Sequence, residues 1–95
     1  MGESLSKASK AHMDRVREIG CILCRQMGDF NVPASAHHIM DNVARSDWLT
    51  IPLCHFHHQG GGGFHYLGER EFNRRYKTTE ANLLAATLEA MNVHT

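Results

Sequence analysis

From Ser6 to Ile19 the positions Ala8, His12, Val16 and Ile19 fall roughly on one stripe of a 3.6-residue period, and Gly20 stands where a helix would stop. The pattern predicts a helix that ends just before Cys21. Cys21-Ile22-Leu23-Cys24 then reads as a tight knuckle, and Met27 to Pro33 as a loop. Two β-rich stretches follow, Ala34 to Met40 and Trp48 to Leu53, which together predict a β-hairpin with a long connection. Gly60 to Gly63 suit neither helix nor strand and read as a flexible link. Helix resumes from Glu69 to Tyr76, where Phe72 and Tyr76 can share a face. A last helix is predicted from Glu80 to Met91, with Thr79 as its N-cap and Leu83, Leu84, Leu88 and Met91 as an apolar stripe.

Size changes this picture first. At 95 residues the chain is one domain with a modest core, so a metal staple would help it. Hydrophobic residues at 42% and charged residues at 21% are ordinary for a folded domain, which excludes a disordered tail or a fibrous segment. Three cysteines cannot all pair, and two lie only three residues apart, so zinc thiolates in a reducing compartment are expected over disulfides. No signal peptide and no membrane-spanning run is visible, and a cytoplasmic protein without membrane contact is expected. Ten basic and ten acidic residues cancel, a weak footprint for gripping nucleic acid. Local clusters survive at Arg15 and Arg17, at Arg74, Arg75 and Lys77, and at Arg45 between the histidine-rich segments.

Candidate chemistry is concentrated in the cysteines and in two histidine knots, His37-His38 and His55-x-His57-His58. Cys21, Cys24, Cys54 and His57 form a C-x2-C…C-x2-H set of the kind that closes a structural zinc, with His55 or His58 as alternative fourth ligands. The bland alternative is three buried free thiols. Neighbouring strand residues face opposite ways, so His37 and His38 can serve one site only if the strand bends or ends there. One imidazole would then bind metal while the other acts as a base. His58 and His65 are the other candidates for a second metal, and His12, His55 and His94 are read as ordinary histidines.

These residues resemble the HNH, or ββα-metal, endonucleases. Ala36-His37-His38-Ile39 is similar to the family's first strand, Asp47 sits where its middle polar residue would, and Ile51 to His58 is similar to its last element. The tail His65-x2-Gly68-x3-Phe72-x3-Tyr76 is similar to that of the phage recombination-enhancement (RecA-dependent) nuclease type, and the likeness runs from about Cys21 to Tyr76. The resemblance implies that His38 is the general base and that Asp47 holds the His38 loop. It implies that His37, His58 and His65 bind the catalytic metal, and that Cys21, Cys24, Cys54 and His57 take the zinc. Two departures stand out: the middle position is Asp47 in place of asparagine, with Asn42 as its rival, and Gly60 to Gly63 lengthens the gap before His65, so the family helix would have to start later or bend.

The expected fold is α+β: a small ββα-metal (HNH) core with a structural zinc knuckle and flanking helices, a single domain over residues 1–95. Within it, 1–20 would be an N-terminal helix, 21–76 the core and 79–92 a C-terminal helix. The expected activity is that of a phage- or prophage-encoded, metal-dependent DNA endonuclease carrying structural zinc and a catalytic magnesium or manganese ion, with zinc as the alternative. Arg45, Arg74 and Arg75 would contact DNA phosphates, and a recombinase filament or another phage or host protein is a candidate partner. Rival readings are a zinc module that binds nucleic acid or protein without cleaving, and a metal-dependent hydrolase of another substrate.

Overall fold

In the computed structural model, which describes residues 2–40 and 44–93, the chain forms six helices and one two-stranded sheet among the described residues. Asn42 and His94 lie outside them. The N-terminal helix α1, Gly2–Ile19, stops at Gly20, whose φ of +83° is a left-handed conformation that a side chain would strain. A Cβ there would also sit 3.0 Å from the Val32 carbonyl oxygen, which accepts the Cys21 N–H. The buried stripe of α1 is Ser9, His12, Val16 and Ile19. Ala8, expected on that stripe, is exposed and the polar Ser9 takes its place.

The knuckle is itself helical. Cys21 precedes the five-residue helix α2, Ile22–Gln26, and Cys54 in the same way precedes the four-residue helix α3, His55–His58. Between them, β1, Ser35–His38, pairs antiparallel with β2, Thr50–Leu53, in the register Ser35↔Leu53 to His38↔Thr50. Both strands are shorter than the sequence suggests. Ser46 to Leu49 curl into a turn instead, in which the Leu49 N–H bonds the Ser46 carbonyl at 3.1 Å and the Thr50 hydroxyl bonds the Asp47 carbonyl at 3.1 Å. Every residue of β2 is buried, because helices cover it on more than one side.

The glycine run is not a flexible link. None of Gly60 to Gly63 has a positive φ, and three of them are packed too closely to carry a side chain. A Cβ on Gly63 would meet the His58 carbonyl carbon and oxygen at 2.7 Å, and one on Gly60 would meet the Phe56 Cα at 2.9 Å. The segment is a tight turn that carries the chain from α3 into α4, Phe64–Leu67, and on to α5, Glu69–Tyr76. Tyr76 fastens it by donating its hydroxyl to the Gly62 carbonyl at 2.6 Å.

The last helix, α6, runs Glu80–Val93, and the Thr79 hydroxyl accepts the Asn82 N–H at 3.0 Å as an N-cap. Its buried face carries Glu80, Leu83, Thr87, Ala90 and Met91, while Leu88 turns out to be 43% exposed. Thr87 tolerates burial because its hydroxyl donates to the Leu83 carbonyl at 2.8 Å. The main core gathers Ile22, Leu23, Ile39, Ile51, Leu53, Phe72 and Leu83 with the buried cysteines. A separate small cluster, Val16, Ile19, Ala90 and Met91, joins α1 to α6.

Candidate metal centres and catalytic residues

Cys21, Cys24, Cys54 and His57 converge beside the hairpin, with all four donor atoms within 4.8 Å of one another. Nδ1 of His57 lies 3.6 Å from Cys21 Sγ, 3.6 Å from Cys24 Sγ and 3.3 Å from Cys54 Sγ, and the Cys24 and Cys54 sulfurs are 3.8 Å apart. Bond lengths to tetrahedral zinc imply edges of about 3.8 Å between sulfurs and about 3.6 Å between sulfur and nitrogen. The four residues therefore have the separations a zinc ion needs and could hold one. The thiols' own chemistry agrees. Burial pushes Cys21 up, and burial with the neighbouring cysteines pushes Cys24 up to about 12, so the sulfurs would not ionise together without a cation. His57 is selected as fourth donor because its ring is buried between Phe56 and Tyr76, at 5.2 Å from each, whereas His55 is exposed and His58 turns away.

His58 belongs to a second cluster with His37 and His65, whose donor atoms also lie within 4.8 Å of one another. The glycine turn makes this possible by bringing Nε2 of His65 to 3.1 Å from Nε2 of His58. The edges of the two rings are braced from behind. Nδ1 of His58 is 2.9 Å from the Ser35 hydroxyl, which leaves its Nε2 for an ion. Nε2 of His37 is 2.6 Å from a carboxylate oxygen of Glu80, a contact buried at both ends, which leaves Nδ1 for an ion. A carboxylate behind a histidine fixes its ring and tautomer and raises its strength as a ligand. Burial, with His65 and His38 nearby, holds His37 down to about 4, and burial with the other imidazoles holds His58 to about 4. Burial thus favours the neutral form of both rings, the form that can bind a metal.

β1 ends at His38, and the two adjacent histidines open on one cleft that Met40, Phe64 and His65 also line. His38 pairs with Asp47: its Nε2 lies 2.8 Å from Asp47 Oδ1, so Nε2–H donates and Nδ1 keeps its lone pair. This hydrogen bond, ahead of one from Ser9, holds the Asp47 carboxyl below its ordinary range. The three arginines are exposed, but Arg74 is tied to Glu71 through two hydrogen bonds of 3.0 and 2.7 Å, and Arg75 stands 3.9 Å from the same carboxylate. Arg45 lies in the connection before the Ser46 turn, and its positive charge acts on the Asp47 carboxyl.

Sequence reasoning passed over Glu80, Ser35 and Ser9. Glu80 had a signal, since it is the one acidic residue in the first turn of an otherwise apolar helix face. The serines had none, because their roles depend on which strand and which loop they come to face. No helix among the described residues is long and apolar enough to cross a membrane.

No curated protein and no solved structure matches the chain significantly. A family profile does, and its span, residues 6–92, takes in both clusters, the His38–Asp47 pair and the helices at either end. The chain belongs to the recombination enhancement, RecA-dependent nuclease family.

Proposed function

We propose that the protein is a metal-dependent DNA endonuclease of the HNH class, with His38 as general base. The observation that carries this reading is the convergence of His37, His58 and His65 on one point beside the His38–Asp47 pair, at the mouth of one cleft. The two strands followed by α3 and α4 make a ββα-metal core whose helix is interrupted by the glycine turn. The zinc cluster holds this core together and takes no part in the chemistry.

Three imidazoles and no carboxylate form the donor set, which suits zinc better than magnesium, with manganese between the two. The chemistry such an ion supplies when bound is charge stabilisation at a non-bridging phosphate oxygen and at the leaving 3′ oxygen. The protein's own groups do the rest. Nδ1 of His38 takes the proton of the attacking water while Asp47 accepts the Nε2–H and steadies the imidazolium that forms. Glu80 and Ser35 hold the rings of His37 and His58 in place. Arg45 and Arg75 lie exposed for phosphate contacts. The products would carry 5′-phosphate and 3′-hydroxyl ends.

The test uses zinc-loaded protein and supercoiled plasmid or single-stranded circles, with Mn²⁺, Zn²⁺ or Mg²⁺ added, and with or without a recombinase filament on the DNA. The His38→Ala variant should retain both metals and cleave more slowly by about 10²–10⁴. Undiminished cleavage by that variant would remove His38 from the mechanism. A wild-type protein that is folded, binds a single metal per chain and cleaves under none of these conditions is a binding module.

A further inference from the structure

Asp47 uses both carboxylate oxygens. Oδ1 accepts the Nε2–H of His38 at 2.8 Å, and Oδ2 accepts the Ser9 hydroxyl at 3.1 Å across a separation of 38 residues. One turn further along α1, the His12 ring packs on the indole of Trp48, with centroids 4.8 Å apart and planes 38° from parallel, and it also bonds the Trp48 backbone. Ser9 is 7% exposed and His12 is 9% exposed, so both contacts lie in the interface between α1 and the 46–48 turn. Nε2 of His12 is buried with no hydrogen-bond partner among the described residues. A polar ring kept there at such a cost fits a site that uses its flat face.

The turn's own hydrogen bonds, from Trp48 N–H to the Ser46 hydroxyl at 3.2 Å, from Leu49 N–H to the Ser46 carbonyl at 3.1 Å and from the Thr50 hydroxyl to the Asp47 carbonyl at 3.1 Å, shape the backbone and do not engage the Asp47 carboxylate. The side chain of Asp47 is 37% exposed, and an ion pair that open to water is weak alone. A carboxylate gripped at its second oxygen from a buried helix face keeps one rotamer.

We propose that α1 is the positioning element of the general base: Ser9 and His12 clamp the Asp47–Trp48 turn and so fix the orientation in which His38 meets water. The inference rests on the role given to His38 above. It separates the two halves of the site, because the metal half is braced by α6 through Glu80 and the base half by α1 through Ser9. Loss of the clamp therefore lowers turnover without releasing metal.

Trp48 is the single tryptophan of the chain, so its fluorescence reports the clamp without reference to cleavage. Ser9→Ala and His12→Ala would be compared with the wild type for acrylamide quenching of Trp48, zinc and manganese content, kcat and KM. Both variants should show easier quenching with KM and metal content within about twofold; kcat should fall by about 10- to 100-fold in Ser9→Ala, the loss expected for a hydrogen bond to a charged group, and by a smaller factor in His12→Ala, which loses a ring contact and a backbone bond. Ser9→Thr, which keeps the hydroxyl, should recover the rate. Wild-type quenching and kcat in Ser9→Ala would overturn the proposal, and so would a fall in rate that tracks loss of metal. A wild type that never cleaves overturns the nuclease reading instead, and the quenching series then still decides whether α1 holds the turn.

Discussion

Gly63 lacks a side chain because His58 leaves no room for one, and neighbouring Gly61 has nothing within 4 Å. The two therefore give opposite outcomes. Gly63→Ala should destabilise the protein by about 1–3 kcal/mol through forced backbone movement, and should loosen the His58–His65 pair. Gly61→Ala should be neutral or stabilising by about 0.4–1 kcal/mol, because it only narrows the unfolded ensemble. Thermal melts with manganese titrations would separate them. His12 sets a pH dependence at the same scale. Burial, then the charge of Arg15, holds its pKa below the ordinary 6.5. Unfolded chains thus bind more protons than folded ones once the pH drops below that value, so His12 contributes stability at neutral pH that is lost on acidification. The His12→Phe variant should show a shallower acid limb in a melting-temperature series from pH 7.5 to 5.

At the scale of elements, α6 begins at Glu80, the residue whose carboxylate braces His37. Glu80→Gln keeps the shape of the side chain and weakens its grip on His37, so manganese affinity measured by calorimetry should fall about 10- to 100-fold while zinc content stays the same. Much of the element list was legible in the chain. Gly20 and Thr79 mark helix ends by local rules, and the structure shows a left-handed Gly20 and a capping Thr79. The cysteine pairs announced their cluster because ligand spacing is a local property. What the chain did not reveal is tertiary. Ala8 is the better apolar residue for a buried stripe, yet Ser9 is buried because Asp47 faces it. The glycine run looks loose by composition and is tight by packing, since only the fold shows that Phe56, His58 and Tyr76 crowd it. The strands were overestimated because Trp48 and Leu49 favour strand by propensity but are drawn into the Ser46 turn.

For the whole molecule, ten positive and ten negative charges leave no net charge to draw DNA in from a distance. With Arg74 shared with Glu71, few phosphates can be neutralised, and a plot of log affinity for DNA against log salt should have a slope of only about −1 to −3. A steeper slope would point to a partner or a second copy supplying basic residues. The larger consequence comes from where the four candidate zinc ligands sit. Cys21 and Cys24 come before β1, and Cys54 follows directly on Leu53, the last residue of β2. A ribbon of four pairs is marginal by itself, so an ion joining Cys24 to a cysteine 30 residues away would fasten both ends of the hairpin that presents His37 and His38. Stripping that ion should fray the ribbon and scatter the histidines, visible as lost protection of the Ile51 amide in hydrogen exchange. Inhibition by a strong chelator would accordingly look the same whether the ion removed sat among the thiolates or among the imidazoles. Only restoring activity with a metal that the thiolates refuse would tell which of the two the reaction needs.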